Sequence, residues 1–155
     1  MPTHRTANAA DMTFGIEIET VAPDSEVAGG LRIGSYHRGV QVPYLPRGWT
    51  AERDGSIDNS AGGHACEIVS PILRGPEGLA QVADVLRTLE ARGHRVNFTC
   101  GVHVHVGWKA DWPAEALARL VTIVAYAERG LYAITGTKRR ERSRYCGGVR
   151  KYGNN

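Results

Sequence analysis

Two short runs of strict two-residue alternation constrain this chain more than any other feature. From Met12 to Thr20 (Met-Thr-Phe-Gly-Ile-Glu-Ile-Glu-Thr), Phe14, Ile16 and Ile18 fall on one side and Gly15, Glu17 and Glu19 on the other. From Val102 to Trp108 (Val-His-Val-His-Val-Gly-Trp), three valines alternate with His103 and His105. Successive side chains point to opposite faces of a strand, so each run is a strand with one apolar and one ionisable face. Ala65 to Ser70 reads the same way, with Cys66 and Ile68 on one face and Glu67 and Val69 on the other, and Pro71 limits its continuation.

The intervening segments carry helical and turn signals. Gly75-Pro76-Glu77 opens a helix, with proline in the first turn and an acid at the positive end of the dipole. Leu79, Val82, Ala83, Leu86 and Leu89 keep helical spacing, and Gly93 closes the helix. Asp111-Trp112-Pro113 starts a second helix, with Leu117, Leu120, Val121, Val124 and Leu131 along its apolar side and an end near Gly136. Trp49 to Arg53 predicts a short strand ending in the Asp54-Gly55-Ser56 turn, and Arg95 to Thr99 is strand-like. Residues 22–48 hold Pro23, Gly29-Gly30, Pro43 and Pro46 and read as a long irregular excursion, the kind of loop that shapes a site. The expected class is α+β: an antiparallel or mixed sheet, helices on one face, and a polar metal-binding face. The expected organisation is a flexible leader over 1–12, one α+β domain over 13–137 and a basic segment over 138–155.

Composition narrows the function classes. A chain of 155 residues suits one domain with its own core. No apolar run approaches the roughly 18–20 residues that cross a bilayer, and residues 1–12 lack the pattern of a signal peptide, so a cytoplasmic protein without a membrane partner is expected. Cys66, Cys100 and Cys146 are dispersed and odd in number, which argues for reduced thiols and against a disulfide framework or a thiolate zinc site. Of the 19 lysines and arginines, seven lie between Lys138 and Lys151, against one of the 16 acids, so the rest of the chain has 12 basic and 15 acidic side chains, net −3. The overall charge of +3 is therefore a property of the tail. That tail has Tyr145 and Tyr152 for stacking but no recognisable nucleic-acid motif, so nucleic acid is not the expected partner.

The chemistry sits on the ionisable strand faces. Covering Glu17, Glu19, His103 and His105 would be costly without partners. Residues two apart on one face are about 7 Å apart along a strand, a spacing that suits two neighbouring cations better than one. With Glu67 on a third strand, three carboxylates and two imidazoles form a set that a divalent metal neutralises. The carboxylates favour Mg²⁺ or Mn²⁺, while two imidazoles and a carboxylate also suit Zn²⁺. The metal therefore stays open at this level, and a zinc-dependent hydrolase using His103, His105 and a glutamate is the alternative to Mg²⁺ or Mn²⁺ chemistry.

Four blocks occur in a familiar order: Phe14 to Glu19 (Phe-Gly-Ile-Glu-Ile-Glu), Asp54-Gly55-Ser56, Glu67 to Pro71 (Glu-Ile-Val-Ser-Pro) and Gly101 to Gly107 (Gly-Val-His-Val-His-Val-Gly). In these, and in Arg144-Tyr145-Cys146 and Lys151-Tyr152, the chain resembles the amidoligases of the glutamine synthetase and glutamate–cysteine ligase superfamily over about residues 13–152. The resemblance implies a catalytic domain like that of glutamine synthetase and an ATP-dependent carboxylate–amine ligase. Such an enzyme joins a small-molecule or peptide carboxylate to an amine through an acyl phosphate. By the same resemblance, Glu17, Glu19, Glu67 and His103 would hold Mg²⁺ or Mn²⁺, and His105 would contact a phosphate or the substrate carboxylate. Asp54 and Ser56 would close over the substrate. Arg139, Arg140, Arg142 and Arg144 would hold the ATP phosphates, whose oxygens guanidinium matches bidentately. Members of this family continue into a further strand bearing a Glu and an Arg, whereas this sequence stops at Asn155. An incomplete sheet is accordingly expected, from a truncated fragment, from a short form completed by a partner chain or a second copy, or from a non-catalytic binding domain.

Overall fold

The computed structural model describes residues 11–108, 112–135 and 146–149 of the chain. The chain divides into two compact units, Met1–Gly107 and Trp108–Asn155. The first unit is α+β, and its backbone follows the alternation read above. Its elements run β1 (Thr13–Ala22), α1 (Asp24–Ala28), β2 (Val40–Gln41), β3 (Thr50–Glu52), β4 (His64–Val69), β5 (Leu73–Arg74), α2 (Gly75–Ala91) and β6 (Val102–Val106). The six strands form one sheet in which every strand pair is antiparallel.

β1 is the axis of the sheet. Phe14 pairs with both Leu73 and Val106, and Ile18 with both Ile68 and Val102, so β4 and β5 flank β1 on one side and β6 on the other. Beyond β4 come β3 and β2. Where β4 gives way to β5, Ser70 bridges the interruption: its N–H donates to the Ile16 carbonyl at 2.9 Å, and its hydroxyl oxygen accepts the Ile16 N–H at 2.8 Å. The proline-limited strand end therefore leaves both backbone groups of Ile16 paired.

The apolar face carries the core. Ile16, Ile18, Cys66, Ile68, Ala51 and Leu73 from the sheet pack with Val85 and Leu89 of α2. Burying each larger aliphatic side chain contributes about 1.5–3 kcal/mol. The buried stripe of α2 is Gly78, Val85 and Leu89, while Leu79 and Leu86 are exposed, so the apolar face expected from sequence is rotated. The cause is Gly78: a Cβ there would come within 3.0 Å of the Phe14 ring and of Leu73, and its absence lets the helix backbone settle on that spot. The helix ends as anticipated. Gly93 has φ 82, its N–H reaches the Glu90 carbonyl, and the His94 N–H reaches the Leu89 carbonyl, the paired bonds of a Schellman cap.

Residues 22–48 are more ordered than expected. They contain α1 and β2 and supply Leu31, Val42 and Leu45 to the core beside the fully buried Trp49. Gln41 closes the loop that follows β2, donating to the Val42 carbonyl and accepting the Gly48 N–H, both at 2.8 Å. These internal bonds replace the ladder that proline and glycine signals disfavour. Residues 95–99 form no strand; a single bridge, Val21 to Arg95, pairs them with β1. Cys66 and Cys100 are buried, and burial pushes the Cys66 thiol up to about 12.

The second unit contains α3 (Ala114–Ile134), close to the expected helix. Val149 N–H donates to Glu128 and the Tyr132 hydroxyl to the Cys146 carbonyl, both at 2.7 Å. Among the described residues no helix is long and apolar enough to cross a membrane.

Candidate metal centre

Register decides which side chains meet on the polar face. Glu17 lies opposite His103 and Gly15 opposite His105, so β6 sets both imidazoles beside β1. Glu19 lies opposite Glu67, and Glu67 opposite Glu52. Residues directly opposite share a face, so three glutamates stand in one row across β1, β4 and β3. Glu19, Glu52 and Glu67 are each buried.

His103 is the hub. Its Nδ1 lies 3.0 Å from Glu17 Oε2 and 3.9 Å from Glu67 Oε1, and its Nε2 lies 3.4 Å from Glu19 Oε1. Among the described residues His105 Nε2 pairs with Glu17 alone, at 3.0 Å from Oε1. Glu17 thus receives both imidazoles. Burial opposes its ionisation, but hydrogen bonds and charge from His105 and His103 outweigh burial and hold its carboxyl below the ordinary range. Glu19 is fixed differently: its Oε2 accepts the Gly101 N–H at 2.6 Å.

Glu67 is the uncompensated member. Burial pushes its carboxyl up to about 7, Glu17, Asp54 and Glu19 add like-charge repulsion, and His103 offsets only part of it. It also belongs to two groups of converging donors. Glu17, Glu67 and His103 offer ligand atoms within 4.8 Å of one another, and so do Glu19, Asp54 and Glu67. An acid shared by two such groups has the chemistry of a bridge between adjacent cations.

The sequence-predicted residues therefore divide. Glu17, Glu19, Glu67 and His103 come together as expected. His105 lies on the same face but joins neither converging group among the described residues. Asp54 is drawn into the carboxylate cluster; its Oδ1 also accepts the Ser56 N–H at 2.6 Å, which fixes the turn. Ser56 is exposed beside it. Arg139, Arg140, Arg142 and Arg144 lie outside the described residues. Sequence reading missed Glu52. Its signal was the two-residue alternation with Thr50 in a strand too short to be persuasive. Glu52 is occupied by its own neighbour, since His37, at φ 59, aims its N–H at Oε1 from 3.2 Å.

Residues 4–152 match a family model described as "Putative amidoligase enzyme". The chain belongs to this amidoligase family. No curated protein and no solved structure matches it. The match spans all four blocks of the amidoligase resemblance, and the structure brings one or more residues of each block to the polar face of one sheet.

Proposed function

We propose that the chain is an ATP-dependent carboxylate–amine ligase with a catalytic domain of the glutamine synthetase kind. It would join an acid and an amine through an acyl phosphate. The observation that carries this reading is Glu67: a buried carboxyl pushed up to about 7, shared by two converging donor sets. The donor set fits hard divalent cations, Mg²⁺ or Mn²⁺, because five of its six groups are carboxylates counting Glu67 in both sets. When bound, such cations neutralise phosphate oxygens during phosphoryl transfer.

The chain's own residues then have separate tasks. Glu17, Glu67 and His103 would hold one cation, and Glu19, Asp54 and Glu67 the other. Asp54 enters here as a ligand rather than as a substrate-closing group. His105, held by Glu17 and not engaged in either set, is free to present its other ring nitrogen to a phosphate or substrate oxygen. Arg139, Arg140, Arg142 and Arg144 remain the proposed phosphate contacts. The zinc hydrolase alternative needs both imidazoles on one ion, but only His103 belongs to a converging group among the described residues.

Calorimetric titration of the folded chain with adenosine 5′-(β,γ-imido)triphosphate tests this. Binding that requires Mg²⁺ or Mn²⁺ and disappears in Glu67→Gln is expected. No nucleotide binding with either cation, or tight binding of one Zn²⁺ that needs both histidines, would overturn the ligase reading.

A further inference from the structure

The ligands of the two donor sets are not supported alike. Glu17 and His103 face each other by the register of β1 and β6, and Glu19 and Glu67 by that of β1 and β4. Asp54 has no such ladder. It lies on the connection from β3 to β4, residues 53–63, which is irregular backbone. Yet its carboxylate converges with those of Glu19 and Glu67, all three offering atoms within 4.8 Å of one another. Like charges resist that approach, so a ligand on a loose connection would swing out to solvent before a cation arrived.

A side-chain clamp stands where the ladder is missing. Further along the connection, both backbone groups of Asp58 are captured: its N–H donates to Thr99 Oγ1 at 2.9 Å, and its carbonyl accepts from Asn97 Nδ2 at 2.6 Å. The Thr99 hydroxyl donates to Asn97 Oδ1 at 2.6 Å, and the Thr99 N–H donates to the same oxygen at 2.9 Å. The Asn97 amide can satisfy all of these partners in one orientation only. Ile57, the residue before Asp58, is buried with Val21 and Cys100, which closes the joint on its apolar side. Just beyond, the Gly101 N–H holds Glu19 Oε2. Residues 97–101 therefore brace Asp54 and Glu19 from one piece of chain.

We propose that Asn97 and Thr99 are positioning residues for the cation site of Glu19, Asp54 and Glu67, acting through the connection that carries Asp54. The inference rests on the two-cation reading of the cluster and adds the support that one of its sites needs. Neither side chain touches the cation; each fixes the backbone from which a ligand projects.

The test is calorimetric titration of the folded full chain with Mn²⁺ alone. The wild type should show two sites. Thr99→Val, which keeps the shape and removes the hydroxyl, and Asn97→Ala should each weaken one site by about tenfold or more. The other site, of Glu17, Glu67 and His103, should hold its affinity and so show that the fold is intact. Thr99→Ser, which keeps the hydroxyl, should restore both. Adding Thr99→Val to Asp54→Asn should cost nothing further at the weakened site, because the clamp acts through Asp54. Equal weakening of both sites, no weakening of either, a Thr99→Ser variant as weak as Thr99→Val, or a wild type that binds fewer than two Mn²⁺ would each overturn the proposal. The expected Mn²⁺ pattern without binding of the imido nucleotide would retain the clamp and remove the ligase reading alone.

Discussion

Replacing Glu67 by glutamine separates the cost of the cluster from its use. The Glu67 side chain is 8% exposed, and its carboxyl titrates at about 7 instead of 4.5. An elevation of that size sets about 3 kcal/mol against the ionised form in the folded protein. The unfolded chain releases this proton near 4.5 and the folded chain near 7, so between those values the folded state binds more protons and stability falls as pH rises. Below the lower value there is no penalty; above the upper one it is complete. Glutamine has nearly the same shape and never ionises. Without metal, Glu67→Gln is therefore expected to exceed the wild type by about 3 kcal/mol at pH 8 and about 2 kcal/mol at pH 6, with little difference near pH 4. At about 2–4 °C per kcal/mol for a chain of this size, the pH 8 gap is roughly 6–12 °C in Tm. Mn²⁺ should close it, since a cation at a hundred times its Kd stabilises the wild type by about 2.7 kcal/mol and the variant far less. Differential scanning calorimetry in EDTA and in Mn²⁺, at pH 4, 6 and 8, reads all of this. A variant less stable than wild type at pH 8 in EDTA, or one that gains as much from Mn²⁺, would refute the reasoning.

Three further outcomes are expected. The apparent affinity for Mn²⁺ should rise as pH climbs to about 7, with release of close to one proton per chain below that value as the shared Glu67 ionises, measurable by titration in buffers of different ionisation enthalpy. His103→Ala should weaken Mn²⁺ binding by about 10–100-fold and His105→Ala by much less, because among the described residues His103 pairs with Glu17, Glu19 and Glu67 whereas His105 pairs with Glu17 alone. Gly78→Ala should cost about 1–3 kcal/mol in urea denaturation, since its Cβ would press on Phe14 and Leu73.

Alternation made the frame of this protein legible. β1, β4 and β6 set their ionisable side chains on one common face as read, because a two-residue period fixes the face of every side chain at once. The helix C-terminus at Gly93 was equally legible, since a single residue supplies the positive φ. What escaped was whatever depended on distant partners. The place of Asp54 among the ligands follows from where β3 ends against β4, and no local pattern records that register. The buried side of α2 turned on a missing Cβ at Gly78, which hydrophobic spacing cannot see.

The bond between Glu19 and Gly101 gives the cluster a mechanical link to the chain before β6. Glu19 donates its own N–H to the Gly101 carbonyl at 3.1 Å, while its Oε2 accepts the Gly101 N–H at 2.6 Å. One carboxylate oxygen thus holds backbone, leaving Oε1 for a cation. A bound cation withdraws electron density from the carboxylate and limits its swing, so occupancy should be felt at Gly101 as a change in amide exchange. The peptide bearing Gly101 becomes a reporter of metal binding that needs neither nucleotide nor substrate.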